Sequence, residues 1–280
     1  MNENIKNKCH IKKVAAVHDL SCYGRSSLMV IIPILSAMGH QVVPFPNSIL
    51  TTHTGGFGEV FTRDLTDFLP EMVNKYDDLR LKFDAVYTGY MPNLNQIDIT
   101  AGLLLKNKEA IKLVDPVMAD HGRLYKGLPP KIIDGMKYLV SLADIITPNL
   151  TEACFISGRE YSEKMTQEQI DYIIKSLSTL GPKQVVITGV PQDGLRVNIA
   201  YDAEADRTFI ASCQNLSVSF PGTGDSFSSL FLGGTLRGMG LKEANQFATT
   251  FIYDCIKETI SSCTPAREGI LLEKMLYKLI

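Results

Sequence analysis

Short runs of β-branched and other apolar residues alternate with segments of helical periodicity through most of the chain. Strands and helices that alternate in this order form βα units, which build a largely parallel sheet covered by helices. The alternation therefore predicts an α/β layered fold. The predicted strands are Lys13–His18, Gln41–Phe45, Asp84–Thr88, Ile111–Asp115, Asp144–Thr147 and Gln184–Thr188.

The pattern changes after Thr188. Two β-rich runs, Leu195–Tyr201 and Arg207–Ala211, flank a polar pentapeptide and predict an antiparallel hairpin, which makes the sheet mixed. No linker rich in glycine, serine or proline divides the chain, so we expect one domain over residues 1–280. The predicted helices are Ser26–Met38, Thr62–Tyr76, Leu94–Asn107, Pro129–Leu142, Ser226–Arg237, Leu241–Thr259 and Leu271–Leu279.

Charge and hydropathy narrow the range of partners. The 280 residues include 28 basic and 30 acidic side chains, which gives no overall positive field for nucleic acid or an anionic membrane. The strongly apolar stretch Leu28–Met38 is too short to span a bilayer and contains Pro33. Residues 1–13 lack the apolar segment of a secretory signal. We therefore expect a cytoplasmic protein without nucleic-acid or membrane partners.

The segment FPGTGDSF at residues 220–227 precedes an apolar helical run. Gly222 and Gly224 allow successive amide groups to converge, together with a helix N-terminus, on a phosphate or an oxyanion. Asp225, at the edge of this cradle, is suited to accept a proton from a substrate hydroxyl. The alternative is an ordinary turn in which Asp225 caps the helix. The dinucleotide pattern GxGxxG fails at Phe227, and the chain contains no GxxxxGK[ST] motif.

The tetrapeptide Gly222–Asp225 resembles the signature of the ribokinase superfamily of small-molecule kinases. Three further segments, Thr88–Tyr90, Asp115–Met118 and Thr147–Glu152, resemble motifs of the pyridoxal kinases in the same order along the chain. The resemblance covers residues 13–260. It implies a three-layer ribokinase-like fold, with a central, mostly parallel mixed sheet flanked by helices. It also implies ATP-dependent phosphorylation of the 5′-hydroxymethyl group of pyridoxal, pyridoxamine or pyridoxine.

The resemblance further implies the roles of the residues at the phosphoryl-transfer centre. Asp225 is expected to be the catalytic base, and the backbone amides of Gly222, Thr223 and Gly224 are expected to form the anion hole. Phosphoryl transfer requires mainly alignment and charge neutralisation from the protein. One carboxylate and one amide cradle can therefore suffice.

On the nucleotide side, the resemblance implies that Asn149 and Glu152 approach Mg²⁺ and the ATP phosphates, with Glu152 nearest the metal. They lie three residues apart at the start of a predicted helix, so a capping box is the alternative, and both roles can coexist. Asp115 is expected to act electrostatically near the cation or the phosphates. Thr188 is expected to offer its hydroxyl to a phosphate, with an ordinary β-branched strand end as the alternative. The resemblance also implies a homodimer and leaves a monovalent cation open.

Four residues are predicted near the vitamin ring. Tyr90 is expected to stack on or flank a pyridine, with core packing as the alternative. His53 matches a family loop that closes over the substrate, with an ordinary loop histidine as the alternative. Many pyridoxal kinases have a ring-contacting serine where this chain has Asp19, which when ionised only accepts hydrogen bonds and so favours a cationic ring or amine. Ser21 is the alternative contact.

Two other functions stay open at the level of the sequence. Another small-molecule kinase with the same glycine motif, such as a hydroxymethylpyrimidine kinase or a sugar kinase, is the nearest alternative. A catalytically inactive vitamer-binding sensor is the second. The joint presence of Asp225, Asn149 and Glu152 argues against the sensor.

Overall fold

A computed structural model of the protein describes residues 10–213 and 220–280. Most of the N-terminal segment used for the localisation prediction lies outside these ranges. The strands are β1 (Lys13–Ser21), β2 (Gln41–Leu50), β3 (Thr62–Asp64), β4 (Ala85–Thr88), β5 (Ile111–Val114), β6 (Ala119–Asp120), β7 (Arg123–Leu124), β8 (Ile145–Ile146), β9 (Gln184–Gln192), β10 (Leu195–Asp202) and β11 (Arg207–Ser212). Nine of them form a sheet in the order β11-β10-β9-β8-β5-β4-β1-β2-β3, and β6 pairs with β7 in a separate ribbon.

The centre of the sheet is parallel and its two edges are antiparallel. The adjacent strands β2, β1, β4, β5, β8 and β9 pair in parallel. The hairpin β10–β11 joins β9 in antiparallel orientation, and β3 joins β2 in the same way at the other edge. The prediction of a mostly parallel, mixed sheet is confirmed.

Helices cover both faces of the sheet. They are α1 (Leu28–Ala37), α2 (Phe68–Asp78), α3 (Leu94–Lys106), α4 (Ile132–Ser141), α5 (Leu150–Ser157), α6 (Gln167–Ser178), α7 (Thr223–Leu236) and α8 (Leu241–Ser261). A first apolar core lies between the sheet and α1, α7 and α8, and a second lies between the sheet and α2 to α6. In β1, Val14 and Ala16 belong to the first core, whereas Ala15 and Val17 belong to the second. Strands buried on both faces are continuously apolar, as the sequence pattern indicated. No helix in the described ranges is long and apolar enough to cross a membrane.

The prediction of a single helix over Thr62–Tyr76 is wrong. Its first three residues form β3, because they pair with the end of β2 at the sheet edge. The chain then turns, and the Thr66 N–H donates to Asp64 Oδ1 at 2.7 Å before α2 begins. An exposed, polar edge strand lacks the apolar alternation that would distinguish it from a helix start.

The prediction of a helix over Leu271–Leu279 is also wrong. A short 3₁₀ turn, Leu276–Leu279, is the regular structure in this segment. The Leu271 N–H donates to Thr259 Oγ1 at 2.7 Å, and the apolar side chains of the segment pack into the core beside α1 and α8. The segment is therefore held by its contacts with the neighbouring helices.

The strand order places a crevice at the carboxyl ends of the central strands. β2 lies on one side of β1 and β4 on the other, so the direction of the connections reverses at β1. Ligands of open α/β sheets bind at such a switch point. Asp19 and Ser21 lie at the end of β1, and Tyr90 follows β4. The N-terminus of α7 reaches the same edge, because Asp225 is hydrogen-bonded to Ser27 in the segment after β1.

Candidate active site

The N-terminus of α7 is an open backbone cradle. Gly222 precedes the helix with a φ of 74°, in the left-handed region, and its position has no side chain to cap the helix. A Cβ on Gly222 would lie 2.0 Å from the Arg25 carbonyl oxygen, so glycine is required there. The first amides of a helix have no acceptor within it, and the helix dipole adds partial positive charge. The predicted anion hole at Gly222, Thr223 and Gly224 thus contains donors that the helix does not use.

Asp225 lies in the first turn of α7 and is linked to β1 through Ser27. The Ser27 N–H donates to Asp225 Oδ2 at 2.9 Å, and the Ser27 hydroxyl donates to Asp19 Oδ1 at 2.5 Å. The Ser21 hydroxyl donates to the other oxygen of Asp19 at 2.8 Å. The structure therefore brings together the predicted base and both candidates for the first substrate loop. Because Ser21 and Asp19 are hydrogen-bonded to each other, a substitution at either position would also change the contacts of the other.

Ser27 has a backbone conformation that residues other than glycine rarely adopt. Its φ is 49° and its ψ is −134°. For a residue other than glycine, such a conformation costs about 1–3 kcal/mol. Ser27 immediately precedes α1, yet its hydroxyl makes no capping hydrogen bond to that helix, although serine usually does so at this position. Sequence reasoning missed Ser27, because an unusual φ has no signature in a serine-containing loop.

The two linked carboxyls have altered acidities. Burial raises the pKa of Asp225 from 3.8 to about 6; the Ser27 N–H lowers this pKa, and the charge of Asp19 raises it. Burial also raises the pKa of Asp19, whereas the hydroxyl groups of Ser27 and Ser21 lower it. A carboxyl with a pKa near 6 is mostly ionised at neutral pH and is a stronger base than an ordinary aspartate. Asp225 thus has the protonation behaviour of a general base.

Asp115, directly after β5, belongs to a polar cluster beneath α7. The Ser228 hydroxyl donates to Asp115 Oδ2 at 2.9 Å and lies 2.8 Å from Thr147 Oγ1. The Tyr87 hydroxyl donates to the Asp225 carbonyl at 3.3 Å. Burial, and then the charge of Asp225, hold the pKa of Asp115 well above its usual range. A cation or a phosphate-bound metal near Asp115 would offset this unfavourable concentration of negative charge.

The N-terminus of α5 is closed by its own side chains. Asn149 Oδ1 accepts from the Glu152 N–H at 3.0 Å, and Glu152 Oε2 accepts from the Asn149 N–H at 2.9 Å. The Met118 N–H donates to Glu152 Oε1 at 3.0 Å, and Asn149 Nδ2 donates to the Ala119 carbonyl at 2.8 Å. The capping box is therefore present. Burial, and then the charge of Asp115, raise the pKa of Glu152. The metal role of Glu152 stays a prediction.

Thr188 is adjacent to Asn149. The two residues form an isolated parallel bridge, and the Thr188 N–H donates to the Pro148 carbonyl at 2.9 Å. β9 continues beyond Thr188 to Gln192, so the prediction that the strand ends at Thr188 is wrong. The structure nevertheless places two of the predicted nucleotide residues next to each other.

Tyr90 is half-buried in the segment that follows β4. Burial, and then the charges of Asp19 and Asp64, raise the pKa of its hydroxyl. Asn47, which sequence reasoning missed, holds this segment in place. Its side-chain Nδ2 donates to the Tyr90 backbone carbonyl, and the backbone carbonyl of Asn47 accepts from Gln96 Nε2 at 2.8 Å. An amide side chain within the apolar run of β2 is the signal that could have identified Asn47, because a buried amide needs partners.

His53 is buried, and both of its ring nitrogens have backbone partners. The Gly55 N–H donates to Nδ1 at 3.0 Å, so Nε2 carries the proton and donates it to the Arg267 carbonyl at 2.7 Å. The ring packs against Gly24, where a Cβ would approach it to 2.4 Å. His53 therefore organises its own loop. Its contact with substrate stays a prediction.

The fold and the site define a class of protein, the ribokinase-like small-molecule kinases. The sequence model of the phosphomethylpyrimidine kinase family matches residues 34–266. A Bacteroides thetaiotaomicron protein crystallised with pyridoxal, provisionally named a phosphomethylpyrimidine kinase, superposes with a TM-score of 0.93, 39% identity and 96% of each chain covered. Pyridoxal kinase from Lactobacillus plantarum superposes with a TM-score of 0.90 and 28% identity, covering 96% of this chain and 97% of its own.

Human pyridoxal kinase is similar in sequence as well, with 29% identity over 265 residues, which cover 84% of this chain and 81% of the human protein. The chain therefore belongs to the family that the phosphomethylpyrimidine kinase model describes and to the pyridoxal kinases of the ribokinase superfamily, and it is a kinase. The predicted ribokinase-like fold is confirmed.

Proposed function

We propose that this kinase transfers a phosphoryl group from ATP to the 5′-hydroxymethyl group of pyridoxal, pyridoxamine or pyridoxine. The observation that carries the proposal is Asp225, a carboxylate with a pKa of about 6 beside the uncapped N-terminus of α7. Its link through Ser27 to Asp19 connects this base to the switch point of the sheet. The substrate class is supported by pyridoxal in the Bacteroides structure and by the names of the human and Lactobacillus relatives.

In the proposed mechanism, Asp225 accepts the proton of the substrate hydroxyl as the oxygen attacks phosphorus. The amides of Gly222, Thr223 and Gly224 and the dipole of α7 stabilise negative charge on the transferred group. The Ser27 N–H holds one oxygen of Asp225, which leaves the other oxygen to face the hydroxyl. Alignment and charge neutralisation supply most of the catalysis in phosphoryl transfer, so no covalent intermediate on the protein is required.

The polar groups near α5 fit a magnesium–nucleotide complex. Asp115 and Glu152 are buried carboxyls whose pKa values are raised first by burial, and then by the charge of Asp225 on Asp115 and by that of Asp115 on Glu152. Carboxylate oxygens are preferred ligands of Mg²⁺. The described residues contain no group of three or more His, Cys, Asp or Glu side chains able to hold a metal. Mg²⁺ commonly uses one or two carboxylates with phosphate oxygens and water. Asp115 and Glu152 would therefore hold a metal that the nucleotide brings, and the metal would neutralise phosphate charge.

The substrate ring is proposed to lie between Asp19 and Tyr90. Asp19 lies near the end of β1 and Tyr90 follows the neighbouring parallel strand β4, so both belong to the same edge of the sheet. Burial, and then the charge of Asp19, raise the pKa of the Tyr90 hydroxyl. An ionised Asp19 favours a protonated ring nitrogen or an amine, whereas an aromatic side chain is suited to a pyridine face or edge. His53 would act by holding the 51–58 loop in place beside them.

Phosphorylation of a hydroxymethylpyrimidine is the second candidate function, because the matching family model and the Bacteroides relative carry that name. A coupled ADP-release assay with ATP, Mg²⁺ and a panel of pyridoxal, pyridoxamine, pyridoxine and hydroxymethylpyrimidine distinguishes the two. We expect the highest kcat/KM with one of the three vitamers, and acceptor-dependent turnover lowered by about a hundredfold or more in Asp225→Asn. Higher kcat/KM with the pyrimidine would contradict the proposal. Lack of turnover with all four, despite vitamer binding, would favour the sensor.

We further propose that residues 1–280 act as one kinase domain and that two such chains form a homodimer. The support is the resemblance to pyridoxal kinases across most of the chain. Sedimentation equilibrium at micromolar concentration tests the oligomeric state. A mass of 62 kDa would agree with a dimer, because the chain mass is 31.0 kDa, and a mass equal to that of one chain would contradict it.

A further inference from the structure

Ser27 directs both of its donors at carboxylates. Its N–H donates to Asp225 at 2.9 Å and its hydroxyl to Asp19 at 2.5 Å. The two aspartates lie 206 positions apart in the chain, at the first turn of α7 and at the end of β1. Ser27 is itself buried, with 7% of its surface exposed. The two hydrogen bonds are therefore shielded from competing water.

The conformation of Ser27 is needed for this geometry and is not explained by helix capping. Its hydroxyl gives no capping bond to α1, and its φ of 49° and ψ of −134° lie where glycine is normally found. Strained conformations persist where the surroundings hold them in place, and they concentrate at functional sites. The strain at Ser27 therefore indicates a role outside its own helix.

Arg25, two residues before Ser27, supplies this constraint. The Arg25 carbonyl lies against Gly222 and Gly269, where a Cβ would approach it to 2.0 Å and 2.7 Å. The Arg25 N–H donates to the Glu268 carbonyl at 3.0 Å, and Arg25 Nε donates to the Glu273 carboxylate at 2.9 Å. The chain is thus clamped immediately before Ser27, between the cradle of α7 and the C-terminal segment.

We infer that Ser27 is a positioning residue that holds the proton acceptor Asp225 and the substrate-side carboxylate Asp19 in one fixed arrangement. The inference rests on the proposed function for the reaction that the arrangement serves. The two donors act on different steps. The N–H orients Asp225 and bears on kcat, whereas the hydroxyl orients Asp19 and bears on the KM for the acceptor.

Two substitutions separate the donors. Ser27→Gly removes the hydroxyl but retains the N–H, and glycine favours the observed φ. We expect the acceptor KM to rise about tenfold, as for a lost hydrogen bond to a charged group, with kcat within about threefold. Ser27→Ala also removes the hydroxyl, and its backbone can relax because no hydroxyl contact holds the strained φ. We expect the same rise in KM and, in addition, a fall in kcat of about tenfold.

Ser26→Ala is the matched control. Ser26 is the adjacent buried serine, and its hydroxyl has no hydrogen-bond partner among the described residues. We expect its KM and kcat to stay close to those of the parent protein. A purely structural role of Ser27 would lower the active fraction of both Ser27 variants without changing KM.

A second measurement does not depend on the reaction. Carbon-13 NMR of protein labelled at aspartate carboxyls follows Asp225 and Asp19 through pH, with assignments from Asp225→Asn and Asp19→Asn. Because hydrogen bonds to the ionised form lower a carboxyl pKa, we expect Ser27→Gly to raise the pKa of Asp19 alone. Ser27→Ala is expected to raise the pKa of both residues. Unchanged titration of Asp19 and Asp225 in both variants would overturn the inference. If the parent protein phosphorylates none of the vitamers, the proposed function fails while the titrations still test Ser27.

Discussion

Two helix N-termini face the same crevice, but one is capped by its own side chains and the other is not. At α5, Asn149 and Glu152 satisfy each other in a closed capping box and bind the backbone of the β6 segment. At α7, Gly222 offers no cap, and Asp225 accepts a hydrogen bond from Ser27, far away in the chain. A capped terminus has used donors that an anion would need, whereas an uncapped one has them available.

The difference between the two termini suits them to different parts of a bound metal–nucleotide complex. The α7 terminus has free amides and a basic carboxylate, which suit the transferred phosphoryl group. The α5 terminus has buried carboxyls and few free donors, which suit a metal that accompanies the phosphates. Substitutions at the two termini should therefore change different kinetic constants.

Asp225→Asn is expected to give the largest effect. It removes the proton acceptor while preserving the shape of the side chain and the contact with Ser27. Loss of a general base lowers kcat by about 10²- to 10⁴-fold, while the affinity for the vitamer changes little. Steady-state kinetics and equilibrium binding measure the two quantities. Turnover near that of the parent protein at saturating substrate would exclude Asp225 as the base.

The same substitution should stabilise the fold at neutral pH. A carboxyl whose pKa rises from 3.8 to about 6 on folding favours the folded state at low pH, and that contribution is lost as pH rises through about 6. The displacement corresponds to at most about 3 kcal/mol. Urea unfolding at pH 7.5 should therefore show Asp225→Asn to be more stable than the parent, with the difference shrinking toward pH 4.5. An equal difference at both pH values would contradict this origin.

Gly222→Ala should disable the cradle. The added Cβ would meet the Arg25 carbonyl at 2.0 Å, so the α7 terminus or the Arg25 segment must move. Displacement of catalytic groups by about 1 Å costs about a hundredfold in rate. Gly158→Ala is the matched control, because Gly158 ends α5 with a φ of 70° but has open space around it. We expect the control to lose about 1 kcal/mol of stability and to keep its activity; an equal loss of activity in both would contradict the steric explanation.

Asp19→Ser tests whether Asp19, which Ser27 links to Asp225 of α7, contacts the substrate. Loss of a charge-assisted hydrogen bond costs about 1.5–3 kcal/mol, which corresponds to roughly ten- to more than a hundredfold in kcat/KM. The loss should fall on the vitamers that carry a cationic ring or amine at the assay pH. Kinetics with all three vitamers across pH measures the ratios. Ratios equal to those of the parent at every pH would remove Asp19 from the substrate site.

Glu152→Gln should give the smallest effect, at the capped terminus. Removing this carboxylate is expected to weaken the metal–nucleotide complex by about 1–2 kcal/mol, so more Mg²⁺ is required at fixed ATP. The amide also leaves one of the N–H groups of Asn149 and Met118 without an acceptor. Gln169→Ala is the control, because Gln169 forms the equivalent capping contact at α6. Identical Mg²⁺ activation curves for all three proteins would leave Glu152 as a capping residue.

Local features of the chain are sufficient to predict every strand of the main sheet except β3, most of the helices, and the N-termini of α5 and α7. Alternation of apolar runs predicts parallel strands, because the hydrophobic pattern and the chain connectivity act over about ten residues. The spacing of Asn149 and Glu152 predicts a capping box, because both partners lie within one helical turn. The glycines before Asp225 predict an open helix start for the same reason. The edge strand β3 and the tail after Ile270 were misassigned, because pairing and core contacts override their local preference.

The arrangement of the site was decided by tertiary structure. Ser27 joins Asp19 and Asp225 across more than two hundred residues, and Asn47 holds the backbone of Tyr90 across strands. Hydrogen bonds between distant segments leave no period in the sequence, because their partners meet only after the sheet has formed. The strained φ of Ser27 is likewise stabilised by tertiary contacts, namely the Arg25 segment between Gly222 and Gly269 and the hydroxyl bond to Asp19. The sequence thus determined which groups the kinase has, and the packed fold determined which of them act together.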